Sequence, residues 1–158
     1  GEPFGPFELR KLLGRGGMAE AFIASHRGED DRFILKRVRP EHARSREYER
    51  RFLLEAQVAA RAQHPNLARF REFGRVGDCF YLTMDQIRGW SLHRFQPLIF
   101  DQGLIPPLEV SVHLSIGILA GLSALHRLTD EAGHVRPMVH RDVNPKNIIV
   151  ATDGEAGL

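Results

Sequence analysis

The chain has 158 residues, 42% of them hydrophobic and 27% charged, the balance of a globular protein able to bury a core as one domain or two small lobes. Lys and Arg number 22 against 20 Asp and Glu, a formal net charge of +2, so bulk charge gives no argument for nucleic acid as a partner. A single cysteine, Cys79, excludes an internal disulfide and fits a reducing compartment; with no signal-peptide pattern visible, the expected location is the cytoplasm.

Phe7 to Leu13 alternates as a strand, and Ala19 to His26 reads as a second, the two joined by Gly14-Arg15-Gly16-Gly17. Glycines let the backbone turn sharply and let its N–H groups approach phosphate oxygens without hindrance from Cβ. A Rossmann fingerprint would need a helix after the glycines, and a Walker loop would need G-x-x-x-x-G-K-[ST]; neither pattern is present. A strand–loop–strand cover over phosphates fits, and so does a Gly-rich hairpin with no ligand.

Arg32 to Arg39 is a third strand closed by Pro40, with Lys36 set among the apolar Leu35 and Val38. A strand lysine is ordinarily a solvated side chain. Arg44 to Gln63 reads as a helix whose apolar face comes from Phe52, Leu53, Ala56, Ala59 and Ala60, ended by His64-Pro65-Asn66. Glu55 lies on the side of Phe52 and Ala59, which must face the sheet, whereas Glu47 and Glu49 lie nearer the helix start. Phe70 to Val76 and Cys79 to Met84 read as a hairpin around Gly77-Asp78.

After the linker Ile87-Arg88-Gly89-Trp90 the pattern turns helical, over Ser91 to Phe100 and Pro107 to Leu128. Within the latter, the apolar run Val110 to Leu125 is interrupted by Ser111, His113, Ser115 and Ser123. It falls short of the roughly 20 residues a membrane span needs, so a buried helix is expected and no membrane segment. A polar loop from Asp130 to Pro137 precedes a second loop, Val139 to Asn147, and Ile148-Ile149-Val150 is a short strand ending at Asp153-Gly154. The expected fold is α+β: a five-stranded antiparallel lobe with one main helix over residues 1–86, a linker at 87–90, and the beginning of a helical lobe over 91–158.

The second loop reads His140-Arg141-Asp142-Val143-Asn144-Pro145-Lys146-Asn147. A carboxylate and a carboxamide at this spacing in a Pro-containing loop can aim an acid/base group at one atom and a metal-binding oxygen at a neighbour. Other site classes fare poorly: there is no H-E-x-x-H zinc pattern and no G-x-S-x-G nucleophile elbow. His126, at the end of the apolar helix, suits a core or capping role.

The loop resembles the H-R-D-L-x-x-x-N catalytic loop of eukaryotic-type protein kinases, and Gly14-Arg15-Gly16-Gly17-Met18-Ala19 with the Val-Asn-Pro of the loop resembles their bacterial serine/threonine members. The resemblance implies a kinase fold and transfer of the γ-phosphoryl group of Mg-ATP to a protein hydroxyl, with ATP and Mg2+ as cofactors and a protein as substrate. It assigns Asp142 to the substrate hydroxyl, Asn147 to magnesium, and Lys36 to the nucleotide phosphates with Glu55 as its ion-pair partner. Arg141, before the catalytic Asp, is assigned to a phosphorylated activation-loop residue. Leu13, Gly14, Gly16, Gly17, Ala21, Ile34, Met84, Ser91 and Ile149 are assigned to the nucleotide, with the main chain of Asp85 and Ile87 against the adenine edge.

The chain departs from the family pattern at four places. Ala19 replaces a third glycine. Ala21 replaces the usual Val while Ile34 replaces an Ala, a swap that roughly conserves volume over the adenine. Asn144 stands where many serine/threonine kinases carry Lys, which removes a cation near the transferred phosphate. The resemblance runs from about residue 7 to 152 and stops before any D-F-G or activation loop, so the 158-residue chain alone is expected to be inactive and to expose apolar faces of Val110 to Leu125. A pseudokinase that binds nucleotide without turnover is the rival expectation. Small-molecule kinases of related fold usually carry His-Gly-Asp in place of His140-Arg141-Asp142.

Overall fold

Alternating apolar residues in the N-terminal half build a curled antiparallel sheet. In the computed structural model, which describes residues 1–158 apart from Glu131, Arg141 and Asp142, the strands are β1 (Glu2–Phe4), β2 (Phe7–Arg15), β3 (Ala19–His26), β4 (Arg32–Val38), β5 (Phe70–Val76) and β6 (Cys79–Asp85). They lie in the order β1-β2-β3-β4-β6-β5, with every neighbouring pair antiparallel. The sheet therefore has six strands, not the five expected. The extra one, β1, is three residues long and contains Pro3. Proline cannot donate to the ladder and is tolerated at an edge, where β1 sits, so nothing in its sequence announces a strand.

Period-two alternation gives the sheet two apolar faces. On one, Phe7, Leu9, Phe22, Ala24, Phe33, Leu35 and Tyr81 are buried together with Phe4 of β1. On the other, Ala19, Val38 and Leu82 are buried against Phe52 and Ala56 of the helix α1 (Arg46–Arg61). Glu47 and Glu49 lie in the first turn of α1, where the helix dipole favours negative charge. The β5–β6 hairpin closes through Gly77 at φ +58° next to Asp78, with Val76 opposite Cys79.

Contacts divide the chain into two units, residues 1–61 with 69–86, and residues 62–68 with 87–158. The second unit contains β7 (Gly89–Ser91), α2 (Leu92–Phe100), α3 (Leu108–His126), β8 (Ile149–Ala151) and β9 (Ala156–Gly157). Its three strands form an antiparallel sheet in the order β7-β8-β9. Residues 87–90, expected as a plain linker, thus contribute to a strand. Gly89 permits this: a Cβ there would stand 2.1 Å from the Val150 carbonyl oxygen.

Residues 62–68 belong with the second unit because α3 leaves a groove for them. Gly117 and Gly121 are buried, and a Cβ on either would press on Asn66, at 2.9 Å from its Nδ2 and 3.1 Å from its carbonyl oxygen respectively. Asn66 Nδ2 in turn donates to the Ala156 carbonyl at 2.6 Å, and Leu67 packs with Ala62 and Leu125. The helix α3 outruns the apolar stretch marked in the sequence: at 19 residues and a mean hydropathy of 1.7 it is, by length and composition alone, long and apolar enough to cross a membrane. The argument from shortness therefore does not hold for the helix as formed. Val110, Val112, Ile116 and Leu119 are exposed on it.

Candidate active site

Strand register carries the assigned residues of the first unit onto one face. A cross-strand row runs from Gly14 on β2 to Ala21 on β3, Lys36 on β4 and Leu82 on β6. A second row runs through Ile23, Ile34 and Met84. Ala21, Ile34, Lys36 and Met84 consequently share the face on which α1 packs, because Leu82 and Val38 of that face bury Phe52 and Ala56. About two and a half turns along α1 from Arg46, Glu55 meets the same face, and Lys36 Nζ donates to Glu55 Oε1. Both side chains stay about one-third exposed, at 30% and 37%, so the pair is open to a third partner on its solvent side.

The glycine loop shows what that partner requires. Gly14, Gly16 and Gly17 are not among the positive-φ glycines, so no left-handed backbone explains them. Internal crowding does not explain them either: a Cβ at Gly14 or Gly17 would meet nothing within 4 Å, and at Gly16 only the Ala19 carbonyl at 3.5 Å. Glycine is placed where side chains would fill empty space beside the main chain, which is the arrangement a phosphate-binding loop needs. Ala19, standing in place of a third glycine, is buried in the α1-side core. The loop is anchored by main-chain bonds from Gly16 N–H to Ala19 O at 2.9 Å and from Arg39 N–H to Met18 O at 3.0 Å. Arg39, which the sequence reading passed over, also donates from Nη1 to Gly16 O at 3.4 Å. Leu13 lies at the register irregularity between Leu12 and Gly14 and is 49% exposed.

At the end of β6, Asp85 is fixed by Arg69, just before β5, and by Arg71 within it. Its N–H donates to Arg69 O at 2.7 Å, and its carboxylate accepts from Arg69 Nε at 3.1 Å and from Arg71 Nε. Arg71 reaches on to Asp31 at 2.6 Å. The Asp31 hydrogen bond, partly offset by burial and reinforced by Asp85, holds the Arg71 guanidinium above its ordinary pKa.

The second unit places Ser91 and Ile149 opposite one another across β7 and β8. The first N–H groups of α2, which have no partner inside the helix, donate to the loop: Leu92 to Ile148 O at 2.7 Å and His93 to Pro145 O at 2.8 Å. Ser91 at the N-cap makes no side-chain capping bond. Within the loop, Lys146 N–H donates to Asn144 Oδ1 at 2.9 Å and Asn147 N–H to Asn144 O at 3.0 Å. The residue standing in place of a lysine therefore closes a turn of the loop. Ile87 packs its Cδ1 where a Cβ on Gly157 would lie 2.5 Å away. Arg141 and Asp142, assigned to loop ordering and to the substrate hydroxyl, lie outside the described residues.

These residues fit a nucleotide more fully than a metal. Lys36, held by Glu55, and the main-chain N–H groups of the open glycine loop are groups of the kind that meet phosphate oxygens. For magnesium the chain offers Asn147, and among the described residues no cluster of three His, Cys, Asp or Glu side chains forms.

Comparisons with known proteins identify the family. A family model described as the protein kinase domain matches residues 7–158. The chain is 32% identical over 157 residues to tyrosine-protein kinase MasK of Myxococcus xanthus, covering 98% of this chain and 24% of that protein. It is 33% identical over 162 residues to serine/threonine-protein kinase PknH of Mycobacterium tuberculosis, covering all of this chain and 23% of the relative. The crystal structure of the M. tuberculosis PknI kinase domain superposes with a TM-score of 0.66 at 26% identity, over 99% of this chain and 60% of that one. A double mutant of the same domain gives 0.72 at 27% identity, over 100% and 61%. The chain thus spans about a quarter of the length of the curated relatives it matches. With residues 7–158 matched by the kinase-domain model, the chain belongs to the protein kinase family.

Proposed function

We propose that the protein of which this chain forms the nucleotide-binding part is an ATP-dependent serine/threonine kinase. The observation that carries the reading is the Lys36–Glu55 pair on the sheet face reached by the glycine row. Both side chains are partly exposed, and a Cβ at Gly14 or Gly17 would meet nothing within 4 Å. Mg-ATP would supply the phosphoryl group and the metal that neutralises its oxygens. Glu55 holds the Lys36 ammonium in place so that its charge is directed at phosphate before the reaction begins. Asp142 would accept the proton of the attacking hydroxyl as a new phosphorus–oxygen bond forms and the bond to ADP breaks. Asn147 would hold magnesium.

A serine or threonine acceptor is supported by the names of PknH, PknE and PknD among the relatives, against the tyrosine kinase name of MasK. The lone Cys79 supports a cytoplasmic location for this part of the protein.

The test is to incubate the full-length protein with γ-labelled Mg-ATP and protein substrates, itself included, and to analyse the phosphoamino acids. Label on Ser or Thr is expected. Label on Tyr alone would overturn the acceptor class. Nucleotide binding with no transfer would make the protein a pseudokinase, and absence of both would overturn the reading entirely.

A further inference from the structure

Strand β5 contains one residue more than its partner accommodates. Phe70 lies opposite Met84 and Glu72 opposite Thr83, so Arg71 is the extra residue of a β-bulge. A bulge sacrifices regular ladder pairing and turns a side chain away from the direction the pleat would give it. Phe70 packs on the α1 side, so Arg71 next to it faces the other side of the sheet, where its guanidinium lies over the ring of Phe33, 5.1 Å from the centroid; the bulge returns Phe73 to the α1 side without displacing Arg71 from Phe33. Phe33 is the register partner of Asp85 on β4. From that position Arg71 spans two carboxylates, Asp85 and Asp31. Its side chain is 28% exposed, against 75% for Arg69, the other arginine on Asp85. Exposed ion pairs contribute little. The half-buried, stacked and doubly paired Arg71 is therefore the stronger constraint on Asp85.

We infer that Arg71 is a positioning residue for nucleotide binding: it clamps the Asp85 carboxylate and so fixes the Asp85 main chain that receives the adenine edge. The inference rests on the kinase reading above, which supplies that role for the Asp85 main chain. It adds a residue that touches no part of the nucleotide and acts through another.

The experiment measures the Kd of Mg-ATP by calorimetry on the full-length protein, so that binding is read independently of turnover. The variants are Arg71→Ala, Asp85→Ala, the double variant and Arg71→Lys. Each alanine variant is expected to weaken binding by about tenfold, and the double variant by no more than either single, because the two act through one contact. Arg71→Lys keeps a charge near Asp85 but loses the planar fork and the stack on Phe33, and falls between wild type and Arg71→Ala. Wild type binding Mg-ATP while Arg71→Ala binds within about twofold of it would overturn the inference and leave the kinase reading standing. So would factors that multiply in the double variant, the mark of two independent structural effects. Should Arg71→Ala not fold, Arg71→Lys decides: affinity equal to wild type overturns the inference. Wild type that binds no Mg-ATP removes the kinase reading and the inference with it.

Discussion

Lys36 on β4 and Glu55 on α1, nineteen positions apart in the chain, are joined by an ion pair on the α1-side face of the sheet. Both partners remain partly in water, and that sets the pair's weight in folding. A pair this exposed contributes about 0.2–1 kcal/mol to stability. Its weight in phosphoryl transfer is larger, because a fixed cation on developing phosphate charge is worth about 3 kcal/mol, or roughly a hundredfold in rate. Lys36→Met in the full-length protein is therefore expected to leave the melting temperature within a few degrees while phosphotransfer falls by roughly a hundredfold or more. Parallel thermal melts and γ-phosphate transfer assays check this, and a large loss of stability with intact transfer would assign the pair to folding alone.

Gly17 separates folding from binding in the opposite sense. Its φ is not positive and a Cβ there meets nothing within 4 Å. Alanine restricts the unfolded chain more than glycine does, so Gly17→Ala is expected to stabilise the fold by about 0.4–1 kcal/mol. The same methyl fills the space kept for phosphate, so Mg-ATP affinity is expected to fall. Denaturant unfolding and nucleotide titration of the same variant provide the two readings. Higher stability with unchanged affinity would mean the loop does not receive the nucleotide.

Cys79, at the start of β6, is half-buried, and burial pushes its thiol above the ordinary range against the pull of nearby Arg37. A raised thiol pKa leaves less thiolate at neutral pH. Iodoacetamide at pH 7.5 is expected to modify Cys79 in the folded protein more slowly than a free cysteine, and at the free rate after denaturation. The linkage runs with it: the folded state holds its proton longer than the unfolded one. Stability is thus fully present below the ordinary thiol pKa and declines as pH rises through the raised value.

Most of the first unit could be read from period-two alternation. Phe7, Ala19, Arg32, Phe70 and Cys79 each begin a strand where the sequence pattern begins one, and the Gly77-Asp78 hairpin follows from its turn chemistry. Strands β1, β7 and β9 have two or three residues each, too few for any periodicity to register, and each is fixed by its partner strand. The bulge at Arg71 did leave a trace. Phe70 and Phe73 stand three apart, an odd spacing that would put them on opposite faces of a regular strand, yet both pack in the α1-side core. An inserted residue between them is what reconciles the two. The pairing of Ser91 with Ile149, and the hold of the α2 N-terminus on the loop carbonyls of Pro145 and Ile148, depend on long-range register that no local pattern contains.

The most direct test of the central claim is the Asp142→Asn variant of the full-length protein, measured for phosphotransfer and for Mg-ATP binding together. Asparagine keeps the shape of the side chain and removes the carboxylate that would take the hydroxyl proton, a contribution of about 10²–10⁴-fold in rate. The kinase account predicts that transfer falls by that order while the Kd for Mg-ATP stays close to wild type. Transfer at the wild-type rate from Asp142→Asn would contradict it.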